Sequence, residues 1–281
     1  MRGMNVKLTL VLSWLLSAFA VAAVAPTPPV SDHFYLNTNQ IAPKALSFFD
    51  NAFKSPARLT MAQVSHALEV LDGDSQYMNV TSKYHSELQK FMKIGEGRPF
   101  ADIEAWQKGN PALFEGIRLY VDSPVNGSPV WQSLNANLRA GRPLAAGERR
   151  ALNKILTSLD QIPSIKGIVF RGATLLPEKF SRYVKGTEIT EPSFTSTSVS
   201  SNVAQGYADI SAPVDFNGRP VAGKVSTIFI IKAKQAAPVT AFMSDYYFEF
   251  EGLIRPGARF KVHHVLINLA GRQSYIFLEQ L

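Results

Sequence analysis

The sequence predicts an α+β protein, with an N-terminal helical subdomain packed on an antiparallel β-sandwich. Three observations lead there. Apolar residues recur at helical spacing from about 32 to 159, and from 167 onward the pattern changes to strands bounded by Gly and Pro. A single helix, near 202–209, interrupts those strands. The chain has 281 residues, room for one large domain or two small ones, and 46% hydrophobic against 18% charged residues suits a globular chain with a substantial core.

The first element stands apart. Arg2 and Lys7 precede an apolar run over 8–16, and small residues follow over 17–25. That is the layout of a secretory signal peptide. Pro26 makes a cut after Ala25 unfavourable, so cleavage is expected after Ala22 or Ala23. We therefore read 1–23 as signal, 24–31 as a Pro-rich linker, and the protein as secreted. No later run approaches the ~18 apolar residues of a spanning helix, so no membrane span is expected once the signal is removed.

Next comes a helical region, 32–116. Its clearest helix covers 60–71, where Thr60 and Gln63 form a capping-box pattern ahead of the stripe Val64, Ala67, Leu68, Leu71. Tyr84, Leu88, Phe91 and Met92 mark another, stopped by Gly95-Glu96-Gly97. Helices over 114–121, 130–138 and 146–159 follow, the last after the Gly141-Arg142-Pro143 turn. Strands are expected over 167–171, 188–197, 224–233, 248–254, 258–269 and 274–281.

Composition excludes several chemistries. Removing the signal takes two positive charges from the formal +7, leaving +5. This is mildly basic, with no Lys/Arg stripe, so no nucleic-acid partner is expected. The absence of cysteine rules out thiol nucleophiles and Cys-based metal sites. Of the histidines His33, His66, His85, His263 and His264, only the last two are adjacent, and on a strand neighbours face opposite ways. No metal is expected. Gly-x-Ser-x-Gly is absent, and Asp160, Asp209 and Asp245 suggest no hydrolase triad.

One stretch, 244–262, carries the chemistry. Glu249 and Glu251 stand where a turn runs into a strand, and in extended backbone residues i and i+2 project from one face. Both acids would reach one small volume, while Phe248 and Phe250 turn into the core. Upstream lie Ile-Val-Phe-Arg-Gly over 168–172, with Arg171 ending a strand, and Ser-Phe-Thr-Ser-Thr-Ser over 193–198. In this order the three pieces resemble the mono-ADP-ribosyltransferase toxins of the Arg / Ser-Thr-Ser / Glu-x-Glu group. The helical stretches 117–123 and 131–139 look like that family's helix before its arginine. The resemblance covers 117–281, which it implies is a catalytic core with an ADP-ribosyltransferase-like fold.

The resemblance implies NAD as co-substrate. Arg171 would contact the phosphate or adjoining ribose, a task suited to a guanidinium with two parallel donors. The backbone of Gly172 would hydrogen-bond the nicotinamide amide. Ser196 would orient the catalytic glutamate, Thr197 brace the cleft, and Tyr207 lie near nicotinamide. Cleaving the nicotinamide–ribose bond creates positive charge on the sugar, which Glu251 would stabilise. Glu249 would bind and help deprotonate the acceptor guanidinium; relatives that modify asparagine carry Gln there, so Glu favours arginine. Tyr246 and Tyr247 would contact the protein target.

The expectation is a secreted toxin, a monomer, transferring ADP-ribose from NAD to an arginine of a host protein, with nicotinamide released and the anomeric carbon inverted. Two other readings stay open: an NAD glycohydrolase on the same fold, and a non-catalytic binding module of that fold.

Overall fold

Helix ends and strand breaks follow local chemistry closely in the computed structural model, which describes residues 35–55, 57–73, 82–84, 86, 88–90, 92, 101–121, 130–210, 224–240, 249–268 and 273–281. The chain runs β1 (Tyr35–Asn37), α1 (Thr38–Ile41), α2 (Ser47–Lys54), α3 (Met61–Gly73), α4 (Ala101–Gly109), α5 (Pro111–Val121), α6 (Val130–Arg139) and α7 (Ala146–Leu159). The second half holds β2 (Ser164–Leu175), a 3-10 turn at Pro177–Arg182, β3 (Glu188–Glu191), β4 (Thr195–Ser198), α8 (Ser201–Ile210), β5 (Val225–Pro238), β6 (Glu251–Ile254), β7 (Ala258–Leu266) and β8 (Ser274–Gln280).

The capping box expected at Thr60 is formed. Thr60 N–H donates to Gln63 Oε1 at 2.9 Å, and Gln63 N–H donates back to Thr60 Oγ1 at 3.3 Å. The stripe it launches buries Val64, Leu68 and Leu71. Tyr84, Leu88 and Met92 are helical and buried as their spacing implies. β1, α1, α2 and α4 are elements that the sequence reading did not separate. α2 is decided by packing: Phe49, Ala52 and Phe53 are buried, and Phe49 meets Phe170 of β2 edge-on at 5.6 Å.

The strands form one sheet in the order β1-β2-β4-β6-β5-β8-β7-β3, with β2 also paired to β5. The ring β2–β4–β6–β5–β2 therefore closes on itself, which gives a strongly curved sheet with sandwich character. Antiparallel pairing dominates, but β1–β2 and β5–β8 are parallel. Helical and strand residues share one apolar core, from Leu46 and Ile117 through Phe170 and Ile230 to Phe277, and residues 32–281 cluster as one unit.

Three strand expectations need correction. The segment 188–197 is two strands, broken where Pro192 lacks an N–H to donate. β3 pairs with β7 at the sheet's edge, whereas β4 pairs with β2 and β6. Arg171 sits inside β2, which continues to Leu175, because β5 supplies an antiparallel partner as far as Val225. Finally, β6 begins at Glu251, and Phe250 before it has a left-handed backbone with φ 49°. The simple i, i+2 pleat assumed for the two glutamates is therefore absent. Phe248 lies outside the described residues.

Candidate active site

A cavity of about 610 Å³ opens where α5, α6, α8 and strands β2, β4 and β6 meet, a volume in the usual range for small-ligand sites. Arg171, Gly172, Ser196, Thr197, Tyr207, Glu249 and Glu251 all line it. Each sequence-selected site residue within the described part of the chain thus borders one space, Thr197 with its hydroxyl turned away from it. Tyr246 and Tyr247 lie outside the described residues.

Arg171 reaches across to β4, where its Nη1 donates to the carbonyl of Ser196 at 2.8 Å. This bond fixes one edge of the guanidinium. Ser196 also lies beside the Glu251 side chain and favours its ionised form, and its Oγ meets Tyr120 OH at 3.0 Å. Thr197 points the other way, donating to Gly252 O at 2.6 Å and tying β4 to β6. Ser198 Oγ donates to Glu249 O at 2.7 Å. The Ser-Thr-Ser run therefore does three jobs, and only its first hydroxyl lies beside a carboxylate.

Glu249 and Glu251 converge although their backbone is not a regular strand. The left-handed residue between them turns the chain, so the two acids approach the cavity from a bend. Burial raises the Glu251 carboxyl from the ordinary 4.5 to about 7. Ser196 opposes that rise, the neighbouring charge of Glu249 adds to it, and Arg171 opposes it. Glu249 accepts from Tyr207 OH at 2.6 Å, so Tyr207 contacts the more outward acid as well as facing the cavity.

Gly172 lacks a Cβ for a reason beyond any ligand. A Cβ there would lie 1.8 Å from Ala204 O and 2.6 Å from Ala208 N, both on α8. Only glycine lets α8 press its backbone onto β2, and this contact sets where Tyr207 stands.

Three further cavity residues carried no assigned role in the sequence. Asn135 Oδ1 accepts from Phe194 N–H at 3.1 Å, and its side chain lies beside the Tyr120 hydroxyl. Arg139 donates through Nε to Ser193 Oγ at 3.0 Å and lines the cavity with Arg171. Asn135 and Arg139 are four residues apart on α6, hence on one face, a spacing readable in the sequence. Tyr120 is buried, and its hydroxyl is pushed up to about 12 by burial first and by the charge of Glu251 second. It stays a neutral hydrogen-bonding group. Among the described residues no group of three His, Asp or Glu side chains is placed to hold a metal ion. His263 faces Glu279 at 2.8 Å, and His264 faces the Ala52 carbonyl at 2.9 Å.

Residues 149–281 match the ADP-ribosyltransferase exoenzyme family. The chain is 27% identical over 134 residues to Vis of Vibrio splendidus, which is named as an NAD(+)–arginine ADP-ribosyltransferase. That alignment covers 48% of this chain and 51% of Vis. Mav of Mycobacterium avium, named likewise, is 36% identical over 80 residues, covering 28% of this chain and 10% of Mav. The chain thus spans about half of one relative and a tenth of the other. Crystal structures of Vis share the fold: the complex with the M6 inhibitor superposes with a TM-score of 0.51 at 21% identity, over 82% of this chain and 89% of that one. The Vis complex with agmatine gives 0.50 at 18% identity, over 82% and 90%. By sequence, residues 149–281 are similar to the ADP-ribosyltransferase exoenzyme family, and the fold agrees with that of the Vis crystal structures.

Proposed function

We propose that the protein transfers ADP-ribose from NAD to an arginine side chain of a host protein and releases nicotinamide. The observation that carries this reading is the convergence of Arg171, Ser196, Glu249 and Glu251 on one cavity. In this reading Arg171 and Arg139 hold the pyrophosphate, since both line the cavity and a guanidinium presents paired donors to phosphate oxygens. Glu251, beside Ser196, lies beneath the ribose and stabilises the positive charge that develops as nicotinamide departs. The bond broken is that between the ribose anomeric carbon and nicotinamide nitrogen, whose electron pair leaves with nicotinamide. The bond formed joins the same carbon to a guanidinium nitrogen, and Glu249 takes the proton lost there. Gly172 supplies backbone groups beside the nicotinamide, and Tyr246 and Tyr247 meet the target protein. The acceptor preference draws on the Vis structure with agmatine, a guanidino compound. Secretion through a cleaved signal over 1–23 and action as a monomer belong to the same proposal.

Water as acceptor is the second reading. The Tyr207 hydroxyl favours it, because it already occupies Glu249. Incubation with NAD, with and without agmatine, separates the two. A guanidine-linked ADP-ribose product supports the transferase. Free ADP-ribose alone, unaffected by agmatine, supports the hydrolase.

A further inference from the structure

We propose that Tyr84, carried by the N-terminal helical region, is a positioning residue for Glu251. Helices that precede the family match then complete the site instead of merely covering the sheet. This inference rests on the transferase reading above.

A left-handed backbone at a non-glycine residue such as Phe250 is unfavourable and persists only when its surroundings over-determine it. Here they do. Glu249 O accepts from Ser198 Oγ at 2.7 Å, and Phe250 O accepts from Val199 N–H at 3.2 Å. Glu251 N–H donates to Thr240 Oγ1 at 2.9 Å. Glu251 O accepts twice, from Val239 N–H at 3.1 Å and from Tyr84 OH at 3.0 Å. Of these partners only Tyr84 comes from outside the β half.

Tyr84 is fully buried, and its ring meets Phe250 edge-on at 6.0 Å and 84°. Thr240 is also fully buried, and its hydroxyl, which accepts from Glu251 N–H, lies beside that of Tyr84. The Tyr84 hydroxyl, the Thr240 hydroxyl and the Glu251 peptide thus lie together behind the carboxylate. Ring and hydroxyl act on different atoms: the ring confines Phe250, and the hydroxyl fixes the Glu251 peptide. A peptide that turns by a few tens of degrees swings the carboxylate off Ser196, and misplacement by ~1 Å is enough to cost about 100-fold in rate.

The test is Tyr84→Phe, which keeps the ring and removes the donor, with Thr240→Val as the second variant. Steady-state NAD hydrolysis and transfer to agmatine are measured per folded molecule. The expected result is a roughly 10- to 100-fold loss of kcat in both reactions, with KM for NAD within about twofold of wild type. A lower thermal midpoint with unchanged kcat in both variants would mean a purely structural role and overturn the proposal. Wild-type protein that cleaves no NAD would instead sink the transferase reading. The positioning claim is then decided by crystal structures of wild type and Tyr84→Phe. Loss of the left-handed Phe250 or of the Ser196–Glu251 contact supports it, and an unaltered bend overturns it.

Discussion

Tyr207 on α8 donates its hydroxyl to Glu249 Oε1 at 2.6 Å, although Tyr207 is 46% exposed. The acid assigned to the acceptor guanidinium is therefore engaged by a phenol at the mouth of the cavity. An incoming guanidinium would compete with that hydroxyl for the carboxylate. Tyr207→Phe should lower KM for agmatine a few-fold while leaving NAD hydrolysis near its wild-type rate, measured by initial rates at varied agmatine. A higher KM would assign the hydroxyl to holding the acceptor in place.

Glu251 gives a stability prediction with a definite sign. Its carboxyl ionises near 4.5 in the unfolded chain and at about 7 in the folded one. A raised carboxyl favours the folded state while protonated, and that advantage is lost as pH rises from about 4.5 to 7. Glu251→Gln removes the cost and should stabilise the protein by about 1–3 kcal/mol at pH 8, with little difference at pH 4. Denaturant melts at the two pH values check this. The same variant should lose activity by about 100-fold or more.

The pH profile follows from the same group. Glu251 must be ionised to stabilise a cationic sugar, so kcat/KM for NAD should rise with pH through an apparent pKa near 7. Glu249 raises that value by its charge. Glu249→Gln should therefore move the rising limb to lower pH, remove transfer to arginine, and leave slow NAD hydrolysis. Transfer to arginine at the wild-type rate in this variant would show the assigned role for Glu249 to be wrong.

Gly172→Ala should disturb the site through packing. The added Cβ meets the α8 backbone at 1.8 Å, where no flexible side chain can give way. Overpacking of this kind costs about 1–3 kcal/mol. It should also raise KM for NAD by shifting α8, and thermal unfolding with NAD titration reads both effects.

Much of the site was legible because its residues belong to short motifs whose order along the chain survives folding. Arg171, Ser196, Glu249 and Glu251 face one cavity. The local backbone was less legible. The alternation around Glu251 reads as a strand, yet hydrogen bonds from Ser198, Val199 and Tyr84 hold Phe250 left-handed, and those partners are distant in sequence. The parallel pairing of β5 with β8 and the split of β3 from β4 are likewise settled by long-range partners. α2 was readable, since Phe49, Ala52 and Phe53 stand at helical spacing, but at eight residues it is short and was not separated from the helical region around it. Gly172 was selected for a backbone contact with nicotinamide, and its close packing against α8 depends on a partner distant in sequence.

Mass spectrometry of the products formed from labelled NAD and agmatine tests the central claim most directly, with wild type, Glu249→Gln and Glu251→Gln side by side. The account predicts ADP-ribosyl-agmatine from wild type, only free ADP-ribose and nicotinamide from Glu249→Gln, and almost no NAD turnover from Glu251→Gln. Guanidine-linked product at the wild-type rate from Glu251→Gln would contradict it.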